Sequence, residues 1–133
     1  MKKFENFTSN LNVLMNADKE DLNNEFIISG IIDKFFIQFE LGWKVLKELL
    51  KYEGKSIASV GSPRDIIKAA YTIYDFIDED VWLAMLKSRN DMTHIYDGEA
   101  AKNLVNIILA QYVPAFIKLR KGIVNRYGDN LEL

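Results

Sequence analysis

Three side chains in the stretch RNDMTHIYD, residues 89–97, have the types and spacing for phosphoryl chemistry: Arg89, His94 and Tyr96. A guanidinium is a planar fork that grips a phosphate through two hydrogen bonds. His94 is the single histidine of the chain, and imidazole moves protons near neutral pH. The Tyr96 hydroxyl offers a nucleophile or an acceptor for a transferred group. Asn90 precedes His94 by four residues, one helical turn, and could orient it. Geometry limits how these groups combine. At roughly 100° per residue, Arg89 and Tyr96 lie on nearly one face of a helix, whereas Arg89 and His94 diverge by about 140°. Either the helix loosens before Asp97-Gly98, or a second copy of the chain completes the site. Each residue also has a plainer reading: a histidine favoured by the dipole at a helix C-terminus, an arginine paired with Asp91 or Glu99, and a tyrosine with its hydroxyl in water. Asp91 suits a solvated face or a turn better than a metal site.

A second candidate set lies upstream. Glu40 and Lys44 are four residues apart, and with Trp43 and Lys47 they line a nucleotide-contacting cleft or form only an i,i+4 surface pair beside a core tryptophan.

The elements that must position these groups are helices. Apolar residues recur every three and four positions, with no competing alternation of strand type, so the chain is expected to be all-α. The clearest helix runs from about Asn24 to Glu53, with Ile28, Ile31, Ile32, Phe35, Phe36, Phe39, Trp43, Leu46, Leu49 and Leu50 on its stripe. Ile27, Ile37, Leu41 and Val45 add apolar groups on other sides, which predicts burial on more than one side and a partner's surface for the excess. Gly54 suits the left-handed residue that ends this helix. Ser62-Pro63-Arg64-Asp65 reads as a capped start for a helix to about Tyr74. Asp78-Glu79-Asp80 opens another that leads into RNDMTHIYD. Asp97 caps a last helix over about Ala100 to Arg126, which Pro114 should kink by removing the bond to Ala110. With an N-terminal helix near residues 3–17, the expectation is a five-helix up-and-down bundle forming one domain over residues 1–133.

Composition narrows the chemistry. The absence of cysteine excludes a disulfide framework, a thiol nucleophile and a structural zinc site of the usual kind, and one histidine excludes a His-rich cage. No metal and no cofactor are expected. The N-terminus MKKFENFTSN has no apolar run of signal-peptide type, and no stretch approaches about 18 uninterrupted apolar residues. The expectation is a cytoplasmic protein with no membrane contact. A net charge of −2 and a pI near 5.4 argue against a general nucleic-acid coat. The charge is uneven: residues 34–68 hold seven bases against four acids, residues 102–126 five bases and no acid, and residues 75–99 seven acids against Lys87 and Arg89. Local basic faces are therefore available to an anionic ligand.

Taken together, R-x4-H-x-Y at Arg89, His94 and Tyr96 resembles the signature of the HEPN superfamily, the higher eukaryotes and prokaryotes nucleotide-binding domains, and in particular its HepT-type toxins. Phe39-Glu40 followed by Trp43-Lys44, Ser62-Pro63-Arg64, and Trp82-x-x-Met85-x-x-x-Arg89-Asn90 are similar to the branch of nucleotidyltransferase substrate-binding proteins. The resemblance spans roughly residues 4–127. It implies a homodimer in which Arg89 and His94 of both subunits line a shared cleft for RNA or nucleotide. It further implies metal-independent ribonuclease activity and a partner, a minimal nucleotidyltransferase, that acts as antitoxin by transferring AMP to Tyr96. Two functions stay open on the sequence, beside the plainer reading of a helical homodimer that serves as an interaction scaffold through the apolar excess of residues 27–50. One is an RNA-cleaving toxin neutralised in this way. The other is a non-catalytic nucleotide- or substrate-binding subunit of the transferase, which the acidic pI favours.

Overall fold

The computed structural model describes residues 1–92 and 97–128, and every regular element among them is helical. Helix α1 (Lys2–Leu14) buries Phe7, Leu11 and Leu14, then gives way to a 3-10 turn at Ala17–Lys19. The sequence had suggested one helix to residue 17. Helix α2 (Glu25–Tyr52) starts where the Asn24 side chain accepts the backbone N–H groups of Phe26 and Ile27. It stops at Gly54, whose φ of 75° lets Gly54 N–H donate to Lys51 O and Lys55 N–H to Leu50 O. This paired arrangement satisfies carbonyls that the helix end would leave bare.

A four-residue helix, α3 (Ile57–Val60), escaped the sequence reading because it is too short to show a period. Helix α4 (Pro63–Ile73) opens with a reciprocal capping box between Ser62 and Asp65. Helix α5 (Glu79–Asn90) is capped by Asp78, and α6 (Gly98–Ile107) by Asp97. A π-helical turn at Ile108–Tyr112 joins α6 to α7 (Val113–Tyr127). The irregularity predicted at Pro114 thus sits just before the proline. The wider turn makes room where the Ala110 carbonyl meets a ring that has no N–H to give it.

Helix α2 is the axis of the bundle and touches α1, α3, α4, α5 and α6. Most of its apolar excess is consumed inside the chain: Val45 is completely buried, and Ile27 and Leu41 are half-buried against the core. Ile37 remains 49% exposed and Phe26 89%. Between α1 and α2 lies a buried polar clasp. Gln38 donates through Nε2 to Phe7 O at 3.0 Å and accepts from Asn10 Nδ2 at 2.7 Å, and Asn10 also reaches Lys34 O.

At the far end of α2, Tyr127 on α7 donates to Glu53 at 2.8 Å and its hydroxyl lies 2.6 Å from that of Tyr74. Arg126 stacks over the Tyr74 ring. Burial raises the pKa of both phenols, and for Tyr127 the hydrogen bonds with Tyr74 and Glu53 raise it further. Among the described residues, Gly98–Tyr127 is long and apolar enough to cross a bilayer by length and composition. Its apolar face, from Leu104 and Ile108 through Phe116 and Leu119 to Ile123, is buried in the bundle.

Candidate functional site

One glycine and one tryptophan set where α5 crosses α2. Gly42 leaves a notch on α2 that the fully buried Trp82 of α5 fills, and the Trp82 ring also packs against Phe39 and Phe116. Seven residues on, the same face of α5 presents Arg89 to α2. Ser88 and Tyr112 tie the end of α5 to the π turn through hydroxyls 2.8 Å apart.

Arg89 Nη2 lies 2.7 Å from Glu40 Oε1, with about a third of each side chain exposed. Arg89 Nη1 donates to Asn90 Oδ1 at 3.3 Å. The second carboxylate oxygen of Glu40 accepts the indole N–H of Trp43 at 3.0 Å. Lys44 extends over the Trp43 ring, its Nζ 5.9 Å from the centroid. Arg89, Asn90, Glu40 and Lys44 therefore gather at one place, around Trp43.

Several plain readings change accordingly. Arg89 pairs with Glu40, which is 49 positions away in the sequence, and with neither Asp91 nor Glu99. Both oxygens of Glu40 are engaged, one by Arg89 and one by Trp43, and the i,i+4 pair with Lys44 does not form. Trp43 is a half-buried residue at the edge of the core. Its role as a fixer of Glu40 was missed, although the three-residue spacing on one helix was a usable signal. His94 and Tyr96 lie outside the described residues, and so does the predicted pairing of Asn90 with His94.

Among the described residues, the arrangement orients the guanidinium and leaves part of its fork unengaged. Two of its edges are engaged by Glu40 and Asn90, and a guanidinium has five N–H donors. A phosphate can be gripped by the remainder, or by the fork after displacing Glu40. Among the described residues, no group of three or more His, Asp or Glu side chains comes together as a metal site would need.

The model of the family described as "nucleotidyltransferase substrate binding protein like" matches residues 1–125, the whole of the bundle through most of α7. The chain belongs to this family. It is also similar to a curated relative named "Probable ribonuclease HepT" from Haemophilus influenzae, and the two matches support a HEPN-like, HepT-like assignment. That relative is 31% identical over 77 residues, 56% of this chain and 53% of its own length. The chain thus spans about half the length of the curated relative it matches. In this family member both halves of the Arg89–Glu40 pair fall inside the matched region.

Proposed function

We propose that this chain is a metal-independent endoribonuclease of HepT type, a toxin neutralised when a partner minimal nucleotidyltransferase transfers AMP to Tyr96. The observation that carries the reading is the oriented Arg89 guanidinium, 2.7 Å from Glu40 at the end of α5, five residues before the single histidine. The curated relative's name supports the ribonuclease assignment. In the cleavage step, the ribose 2′-oxygen bonds to phosphorus and the bond to the 5′-oxygen breaks. One His94 takes the 2′-hydroxyl proton and another protonates the departing oxygen, leaving a cyclic phosphate. One imidazole does not serve readily in both places, so the active form is a homodimer that supplies two. Arg89 stabilises the charge on the pentacoordinate phosphorus.

In the neutralising step, the Tyr96 oxygen attacks the α-phosphorus of ATP, pyrophosphate leaves and the phenolic proton is lost. The new phosphodiester stands seven residues from Arg89 and competes with RNA for it. Both steps belong to the cytoplasm, where RNA and ATP are available.

The family description favours a second reading, a non-catalytic subunit that binds nucleotide or substrate for the transferase. One experiment separates the two. Unmodified protein, its intact mass showing no added AMP, is assayed for RNA cleavage in EDTA beside Arg89→Ala and His94→Ala. Cleavage by the parent, reduced about 100-fold or more in each variant, is expected. No cleavage by the parent transfers the assignment to the binding subunit.

A further inference from the structure

The exposed face of α2 continues beyond the Arg89–Glu40 pair as a stripe of lysines. At about 100° per residue, Glu40, Lys44, Lys47 and Lys51 fall within about 60° of arc, and the stretch from Glu40 to Lys51 covers about 16 Å. Lys55 follows just past the helix end. There Lys47, Lys51 and Lys55 line a cleft of about 330 Å³ between α2 and α3, together with Glu48, Ala58 and Ser59. Among the described residues, none of Lys44, Lys47, Lys51 and Lys55 pairs with a carboxylate. The two acids on this side are already engaged, Glu40 by Arg89 and Glu48 by Lys3 at 3.2 Å. A chain with net charge −2 therefore carries a positive strip that no carboxylate among the described residues pairs, and it begins at the candidate site.

Aromatic rings flank the strip. Trp43 lies on one side, its indole fixed by Glu40, and Tyr52, 63% exposed, lies on the other. Cations spaced by one helical turn with aromatic faces beside them are what a single-stranded nucleic acid needs. The phosphates meet the charges and the bases stack on rings without sequence preference. An acidic protein surface would use the lysines and make no use of the exposed Tyr52 ring.

We infer that the Lys44–Lys47–Lys51–Lys55 strip is the binding track for single-stranded RNA running on from the phosphate held at Arg89. The inference rests on the ribonuclease reading for the starting point, while the track itself binds RNA whether or not cleavage occurs. Lys47, Lys51 and Lys55 are phosphate-binding residues of the track, and they stand apart from the reacting atoms.

The test is a fluorescence-anisotropy titration at several KCl concentrations. The probe is a labelled single-stranded RNA of about twelve nucleotides, with 2′-O-methyl riboses so that it cannot be cleaved. The proteins are the parent, the triple variant Lys47→Ala/Lys51→Ala/Lys55→Ala and the matched triple Lys→Arg variant. Each phosphate contact to a single strand contributes about 0.7 to the slope of log K against log salt. The alanine triple should flatten the slope by about 2, and the arginine triple should keep the parent slope. An unchanged slope in the alanine triple overturns the track, as does an unchanged slope combined with lost binding of the nucleotidyltransferase, which would make the strip a protein-docking face. If the parent cleaves no RNA yet the slope still flattens, the ribonuclease reading fails and the track stands.

Discussion

Replacing Gly42 by alanine tests the contact that aims Arg89. An ideal Cβ at Gly42 would lie 2.7 Å from Trp82 Cη2, 3.1 Å from Cζ3 and 3.2 Å from Phe7 Cε2. The indole cannot swing aside, because it is wholly buried with Phe116 edge-on at 5.5 Å and Phe39 at 6.0 Å. Gly30 is the control. It lies on the same helix, and a Cβ there would meet nothing within 4 Å. Both substitutions gain about 0.8–1 kcal/mol of helix propensity. Gly42→Ala alone incurs overpacking of about 1–3 kcal/mol, so the two variants should differ by that amount. With an unfolding entropy near 2.1 cal/mol/K per residue, this separates their melting temperatures by roughly 4–11 °C, Gly30→Ala above the parent and Gly42→Ala the lower of the two. Circular-dichroism melts at one fixed protein concentration read it directly, since self-association would shift Tm with concentration. On the ribonuclease reading, Gly42→Ala should also weaken RNA cleavage, because Trp82 and Arg89 share a face of α5. If Gly42→Ala melts at or above Gly30→Ala, the docking of α5 on α2 described here is wrong.

Two further outcomes test the packing at the two polar clusters along α2. Gln38→Leu removes the side-chain donor to Phe7 O and the short acceptor of Asn10, and should cost about 1 kcal/mol or somewhat more in urea unfolding; a variant as stable as the parent would remove the clasp from the account. Tyr74 and Tyr127 have pKa values raised above 10.0 in the folded state, through burial first, so the native protein binds their protons more tightly than the unfolded chain. Their contribution is fully present below about pH 10 and falls as pH rises above it. Tyr127→Phe should therefore show a shallower alkaline loss of stability than the parent, and parallel alkaline limbs would refute the coupling.

Helix starts were legible before any fold was known, Ser62 and Asp97 as caps and Asn24 and Asp78 as approximate beginnings, because a cap is a local bargain between a side chain and the next few N–H groups. Asn24, Ser62 with Asp65, Asp78 and Asp97 all stand at helix starts, and Gly54 ends α2 with positive φ. The length of α2 and its burial on several sides were equally plain from its repeat. Helix α3 was hidden because one turn carries no period, whereas Pro114 announced a break in the last helix, and the fold decided its form and place, a π turn just before the proline.

The sequence by itself determined that the chain is helical, where the long helices begin, and that Arg89 has the chemistry to hold a phosphate. All of these depend on residues within a turn or two of one another. Tertiary structure decided what Arg89 faces. Its partner Glu40 lies on another helix, reached only because Gly42 admits Trp82 and lets α5 approach α2. The same packing turned Val45 inward, leaving Ile37 and the lysine strip at the surface. A periodic pattern shows which residues share a face, but which neighbouring helix covers that face is a matter of long-range packing.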